Sequence, residues 1–350
     1  MDRRDMLKSL GVAAAATAAS ATEASAQAAT QPSLALPDFA LPWSEPDPKV
    51  PGRMNIVRVP DDYFMPGRFQ GKNVIVTGSA RGMGAVAARR LAREGANVVG
   101  VDILEDLGAS VVEEIRAEGH NAVFLGGDIS EDSVCAEMVR LCVSEFGSID
   151  AAINNAGVMD ALHPDEPIDY PNQKDRLMAR ITECGDAYFD RVMKVNVWGT
   201  FYSLRHELRQ MVAQGTGGSI VNVASVTGIR GFGGTPPYTT SKHAVQALTK
   251  NAAIDYAPYG IRVNSTGMGT TLTPMYERAV EIIKQRRASP DFVDTGISLY
   301  KSRSLLELSD EKNRGSTSAE QVAIMLFLLS PEASNITGST YNTDGGFTIF

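Results

Sequence analysis

An α/β protein with a doubly wound parallel sheet is what this sequence predicts, and three observations carry that expectation. Short apolar runs of strand length, at 74–77, 97–101, 121–125, 149–153, 218–223 and 261–265, alternate with stretches of helical periodicity. That rhythm gives a parallel sheet with helices on both faces, since a parallel strand needs a crossover before its neighbour. A glycine-rich turn stands directly after the first run, where strand must pass tightly into helix. The chain has 350 residues, and the region 71–350 suits one large sheet rather than two domains. In order, Lys72–Thr77 is a β-branched strand run, and Ala85–Glu94 repeats small and apolar residues at helical spacing. Asn97–Val101 is a second strand run, and Gly218–Ser225 a buried one ending in serine. Ala323–Leu329 is apolar throughout but too short to span a bilayer, so it reads as a buried helix. No internal repeat is visible.

The turn after the first strand reads Gly-Ser-Ala-Arg-Gly-Met-Gly, with Gly78, Gly82 and Gly84 as its glycines. Between a strand and a helix, such spacing lets backbone approach a pyrophosphate at the helix N-terminus, the Rossmann-type arrangement. The next strand run ends in Asp102, where a carboxylate meets adenosine ribose hydroxyls. Its charge would repel a 2′-phosphate, which favours NAD over NADP. Arg81 in the loop pulls mildly the other way.

Tyr238 and Lys242 are written Tyr-Thr-Thr-Ser-Lys, with Ser225 upstream. Positions i and i+4 share a helix face, so phenol and ammonium stand side by side. A phenol ordinarily titrates near pH 10, and moving it to about 7 takes roughly 4 kcal/mol. A neighbouring lysine charge favours the phenolate and can supply much of that. Ser225, at the carboxyl end of its strand, can hydrogen-bond a substrate oxygen while Tyr238 moves a proton. The pair by itself is common on surface helices; its context gives it meaning.

Thr77-Gly-Ser-Ala-Arg-Gly-Met-Gly84, Asp128 after the third strand, Asn154-Asn-Ala-Gly157, Asn196 in Lys-Val-Asn-Val-Trp-Gly, Ser225, Tyr238 and Lys242 together resemble the short-chain dehydrogenase/reductase family over about 70–350. The resemblance implies an oxidoreductase that moves hydride between nicotinamide and a secondary alcohol or carbonyl. It implies a catalytic set of Asn196, Ser225, Tyr238 and Lys242. Ser225 would polarise the substrate oxygen and Tyr238 would act as acid and base. Lys242 would bind the nicotinamide ribose, and Asn196 would hold a water linking Lys242 to solvent. Asp128 would hydrogen-bond the adenine. The cofactor-contacting positions are Gly78, Ala80, Arg81, Gly82, Met83, Gly84, Asp102, Asp128, Ile129, Asn155, Ala156, Gly157, Thr271 and Thr273, with Tyr238 and Lys242. Thr343-Asp-Gly-Gly346 is similar to the family's closing strand and turn, and a homotetramer or dimer is implied. Two departures stand out: Met268 occupies a position where proline is usual, and 158–187 looks like an insertion.

The net charge is −8 with no basic block, which argues against nucleic-acid binding. Four histidines and three cysteines show no metal-ligand spacing. Cys135 and Cys142 share a helical face and read as buried thiols, whereas Cys184 falls in the insertion. Met159, Leu162, Phe232, Met268, Met275, Tyr276, Phe292 and Tyr300 are candidates for an apolar substrate lining, with 269–316 as lid. No cluster of basic residues marks an anionic substrate, so a hydrophobic or alicyclic alcohol is favoured. Lys284, Arg286, Arg287, Lys301 and Arg303 read as an exposed helical face.

Arg3 and Arg4, an Ala-rich stretch and Ala24-Ser25-Ala26 resemble a bacterial twin-arginine signal peptide over 1–26. This reading implies export of a folded protein by the twin-arginine machinery to the periplasm; an Ala-rich tail on a cytoplasmic enzyme is the alternative. The arm, 27–70, holds Pro32, Pro37, Pro42, Pro46, Pro48, Pro51, Pro60 and Pro66 but also Trp43, Tyr63 and Phe64. Prolines favour extended backbone, and the apolar residues favour packing on the catalytic domain or a second subunit over a free tether. An exported dehydrogenase needs either a cofactor that never leaves or some other hydride sink, and the expectation is NAD loaded before export, held tightly and recycled in place. A non-catalytic exported ligand-binding protein on the same scaffold is the competing class.

Overall fold

The computed structural model describes residues 54–290, 292, 304–312 and 314–349; the signal-like segment 1–26 and most of the arm lie outside the described residues. Seven strands form one sheet in the order β3-β2-β1-β4-β5-β6-β7. They are β1 (Asn73–Thr77), β2 (Asn97–Asp102), β3 (Ala122–Gly126), β4 (Ala151–Asn154), β5 (Gly218–Val223), β6 (Ile261–Met268) and β7 (Thr340–Thr343). Every pairing is parallel. The helices are α1 (Gly82–Arg93), α2 (Glu105–Ala117), α3 (Asp132–Phe146), α4 (Tyr170–Gln173), α5 (Asp186–Met193), α6 (Thr200–Gln214), α7 (Pro236–Tyr256), α8 (Pro274–Arg287), α9 (Leu305–Ser309) and α10 (Ser318–Leu329).

The period of two along a strand sorts the core into two layers. Val74 and Val76 of β1 pack with α1, α2 and α10, while Ile75 between them packs with α3 and α6. Ile75, Leu91 and Ile153 are fully buried, each contributing roughly 1.5–3 kcal/mol relative to exposure. Cys135 and Cys142 are buried free thiols on the same layer as Ile75. Burial pushes both thiols up to about 12, so they are packing groups. The apolar run at Ala323–Leu329 is the core of α10. Among the described residues no helix is long and apolar enough to cross a membrane.

The chain runs outward from β1 to β3, then crosses back to place β4 on the other side of β1. That reversal opens a crevice beyond the carboxyl ends of β1 and β4. Strand ends differ by up to three residues from the sequence expectation, most at β6, which runs on to Met268. β4 is Ala151–Asn154 rather than 149–153, because Asn154 pairs with Asn222 in the ladder to β5. Ser225 lies two residues beyond β5, at the N-cap of a single turn (Val226–Gly228).

Beneath the crevice lies a buried polar chain. Asn154 Nδ2 donates to Glu207 Oε2 at 3.0 Å and to Asn222 Oδ1 at 3.0 Å, and Asn222 Nδ2 donates to Thr249 Oγ1 at 3.0 Å. Glu207 has no exposure, and its Oε1 has no partner. Burial raises its pKa to about 7, against a lowering by Asn154. A raised acid stabilises the fold below its unfolded pKa of 4.5, and that contribution is lost as pH rises through about 7. Glu207→Gln is therefore expected to raise Tm at pH 8, at roughly 2–4 °C per kcal/mol, with the gain fading toward pH 5. Thermal melts across that range check it.

The described end of the arm, 54–70, lies against the catalytic body. Met54 bridges to Asp310 just after α9. Arg68 Nε and Nη2 donate to Glu94 at 2.6 and 2.8 Å, and the Met65 amide donates to Glu94 Oε1 at 3.1 Å. Arg90 Nε reaches the same carboxylate at 3.0 Å, and its guanidinium stacks on the Tyr63 ring.

Candidate active site

The crevice holds a cavity of about 370 Å³ whose wall includes Gly78, Asp102, Asn155, Ser225, Tyr238 and Lys242. Residues spread over more than half the chain meet there because the strand ends converge on one edge of the sheet.

At one end stands the glycine turn. Gly78 has φ +68°, and a Cβ there would lie 2.8 Å from the Ala156 Cα. A Cβ at Gly84 would lie 1.9 Å from the Gly78 carbonyl oxygen. Only glycine allows the turn to close on α1 this tightly. Arg81 precedes α1 and caps it with no side-chain hydrogen bond, so no side chain of the N-cap competes with an anion for the first amides of the helix. Both oxygens of Asp102 are fixed: Oδ2 accepts from the Ala80 amide and Oδ1 from the Leu104 amide, each at 2.9 Å. Asp128 accepts from the Ser130 amide at 2.9 Å and from Arg191 Nη1 at 2.8 Å. Burial pushes the Asp128 pKa up, but the bonds from Ser130 and Arg191 outweigh it and the net shift is downward. Arg81, Gly82, Met83, Ile129, Ala156, Gly157, Thr271 and Thr273 also line the wall, while Ala80 and Gly84 stand behind it. Arg191 lines the cavity without having been foreseen. Its signal was slight, an arginine one helical turn before the Asn196 motif. A dinucleotide fits this half: the glycine cradle, the uncapped helix start and the held carboxylate each match one of its parts.

At the centre, Tyr238 and Lys242 project from the first turns of α7, with 9% and 4% exposure. Lys242 Nζ donates to the Val223 carbonyl at 2.9 Å and lies 5.5 Å from the centre of the Tyr238 ring. Ser225 Oγ accepts from the Thr227 amide at 3.2 Å. Asn196 sits in a π-helical stretch, Lys194–Gly199, joining α5 to α6. Its side chain accepts from the Val158 amide at 2.8 Å, and donates to the Val158 carbonyl and Ser241 Oγ at 2.9 Å each. Asn196 thus clips the Gly157–Val158 loop to α7 from behind the wall. A Cβ on Gly157 would lie 3.2 Å from Asn196 Oδ1 and 3.5 Å from Lys242 Nζ.

The electrostatics correct one sequence expectation. Burial drives the Tyr238 phenol up to about 12, with a hydrogen bond to Ser225 pulling it back. Burial brings Lys242 down to about 8. The lysine is still mainly an ammonium at neutral pH, but its charge does not by itself overcome desolvation of the phenol. Tyr238 is therefore a neutral proton donor here. Acting as a base takes a second positive charge at the site.

The other half of the cavity is apolar. Met159, Phe232, Met268, Met275 and Tyr276 line it as expected. Leu162 instead lies behind the wall in a cluster with Leu177, Ala279 and Ile282. Phe292 is half-buried and off the wall. Tyr300, Lys301 and Arg303 fall outside the described residues. Arg286 departs from the exposed face expected of it, being half-buried against Gly234. Pro164, Met178 and Ile283 line the cavity unforeseen. No group of three or more His, Cys, Asp or Glu able to hold a metal is found among the described residues.

Comparison with known proteins agrees with this geometry. A family model described as short chain dehydrogenase matches residues 72–283. The chain is 36% identical to a 3beta-hydroxysteroid dehydrogenase of Mediterraneibacter gnavus over 289 residues, covering 82% of this chain and 98% of that protein. It is 35% identical to a 2,5-dichloro-2,5-cyclohexadiene-1,4-diol dehydrogenase of Sphingobium indicum, covering 79% of this chain and 97% of that one. The crystal structure of levodione reductase superposes with a TM-score of 0.63 at 32% identity, covering 79% of this chain and 98% of that chain. With the glycine turn, the held carboxylates and the Ser225–Tyr238–Lys242 cluster on one sheet edge, the chain belongs to the short-chain dehydrogenase family and is an oxidoreductase that works with a nicotinamide cofactor.

Proposed function

We propose that the protein interconverts a ring secondary alcohol and its ketone, using NAD(H) rather than NADP(H). The observation that carries this reading is the placement of Ser225 and Tyr238 between a dinucleotide cradle and a half-cavity whose described lining is the apolar Met159, Phe232, Met268 and Met275. The named relatives act, by their names, on a hydroxysteroid and a cyclic diol, which supports a ring alcohol here.

The glycine turn, Asp102 and Lys242 would hold the cofactor, which when bound supplies or accepts the hydride. The protein's own part is to bind and move a proton. In reduction, the Ser225 hydroxyl and the neutral Tyr238 phenol both hydrogen-bond the carbonyl oxygen, and Tyr238 gives up its proton as the oxygen gains charge. In oxidation, the Tyr238 phenolate removes the hydroxyl proton; Lys242 is one positive charge beside it, and the oxidised cofactor, when bound, would supply the second. Asn196 holds the Gly157 loop so that a water can stand between it and Lys242 and return the proton to solvent. General acid–base catalysis of this kind is worth about 10²–10⁴ in rate.

The preference for NAD rests on Asp102, whose two backbone bonds fix its charge on the cavity wall. Asp102→Asn keeps an acceptor and removes the charge. It is expected to raise KM for NAD about tenfold or more, in line with a charged hydrogen bond of roughly 1.5–3 kcal/mol, and to narrow the gap to NADP. Steady-state kinetics with both cofactors on protein refolded free of bound nucleotide test it; an unchanged NAD-to-NADP ratio would remove Asp102 as the discriminator.

The same proposal includes export. Arg3, Arg4 and Ala24-Ser25-Ala26 support a twin-arginine signal and a periplasmic enzyme with NAD loaded beforehand. Mass spectrometry of nucleotide released from exhaustively dialysed mature protein tests the loading: about one NAD per chain is expected, and none would contradict it. A homo-oligomer is supported by Trp198 and Ile254, which are 50% and 75% exposed in the π-helical stretch before α6 and on α7.

A further inference from the structure

The segment 158–187 and helix α8 meet over the apolar end of the cavity, and they are tied together more firmly than a mobile lid requires. Asp160, 5% exposed, accepts from Arg278 Nε at 2.9 Å, and Arg278 Nη1 also donates to the Glu166 carbonyl at 2.9 Å. Farther along α8, Gln285 accepts from the Tyr170 amide at 3.0 Å and donates to the Ile168 carbonyl at 3.3 Å. Between these ties Leu162, Tyr170, Leu177 and Met178 pack on Ala279 and Ile282. The cluster continues toward the reacting atoms, because Met159 touches it and also packs beside Tyr238.

Met178 is the residue that belongs to both worlds. It is 3% exposed, packs on α8 through the cluster, and lines the cavity. Its side chain fills space between 158–187 and α8. The ties at Arg278 and Gln285 keep the two backbones from separating to admit a larger ring, so the size limit falls on the side chain. A thioether chain is unbranched and fills such a gap adaptably.

We propose that Met178 is a specificity-determining residue, and that 158–187 is a second substrate wall which sets the ring size the enzyme accepts. This rests on the ring-alcohol reading above. Shortening the side chain enlarges the far end of the cavity, and lengthening it fills that end, without touching Ser225, Tyr238 or the dinucleotide half.

The test uses the full chain with NAD, and compares kcat/KM for cyclohexanol and for the fused-ring alcohol decahydronaphthol. Met178→Ala is expected to raise the fused-ring to single-ring ratio about tenfold, the scale on which hydrophobic pockets discriminate by size. Met178→Phe is expected to lower it, and gives a second reading should the alanine variant fold poorly. KM for NAD reports on the other half of the cavity and separates a local change from general damage. Ratios that move in opposite directions in the two variants support the assignment. A ratio unmoved in folded variants that still turn over overturns it while leaving the ring-alcohol reading intact. Wild-type protein that binds NAD but oxidises neither alcohol overturns that reading, and this inference with it.

Discussion

Replacing Tyr238 by phenylalanine is expected to lower kcat by about 10²–10⁴ while KM for NAD changes little. The phenol is a proton donor on the cavity wall flanked by both a hydroxyl and an ammonium, Ser225 and Lys242. Phenylalanine keeps the ring and the packing against Tyr188 and Val192, so the loss isolates the proton. The pH dependence sharpens the expectation. Burial favours the neutral phenol, so carbonyl reduction should hold up at neutral pH, whereas alcohol oxidation should climb toward alkaline pH as the phenolate becomes accessible. Rates measured in both directions from pH 6 to 10 check this, and an oxidation rate flat over that range would refute the role of the phenolate.

The largest expected loss of stability is at Glu94. This carboxylate is fully buried and receives Arg68, Arg90 and the Met65 amide. Glu94→Ala strands two guanidinium groups that are at most 10% exposed, and breaking a buried pair in this way costs about 3–5 kcal/mol. The end of the arm should come free with it. Chemical denaturation should show the loss, with faster proteolysis around 60–70. Turnover per folded molecule should be retained, since Glu94 is not on the cavity wall. A variant as stable as the parent would mean that the arm is not anchored by this carboxylate.

Local motifs were legible where local backbone geometry dictates them. Gly78 and Gly84 can be read from spacing because the turn excludes any Cβ, and Tyr238 with Lys242 because i,i+4 places them on one face. The alternation of strand and helix runs was enough for the sheet, since each β1–β6 run is a short apolar segment bounded by turn residues. What stayed hidden depends on contacts between distant segments. Arg191 meets Asp128 only because the fold brings α5 to the loop after β3, and nothing near it in sequence marks an ion pair spanning so many residues. Met178 looks like any methionine until its neighbours on α8 are known. The rise of the Tyr238 phenol is hidden for the same reason: sequence shows the adjacent lysine, but burial is set by the fold. Glu207 is likewise a plausible surface residue by type, and only the packing of α6 on the sheet makes it a buried acid.

The central claim is hydride transfer between a ring alcohol carbon and nicotinamide, with the proton handled by Tyr238. Supplying cyclohexanol deuterated at the carbinol carbon together with NAD, and measuring the mass of the reduced cofactor, tests it most directly. The expected result is deuterated NADH from the wild-type protein and almost none from Tyr238→Phe. Firm binding of NAD and alcohol with no label in the cofactor would contradict the claim, and would leave a ligand-binding protein on a dehydrogenase scaffold.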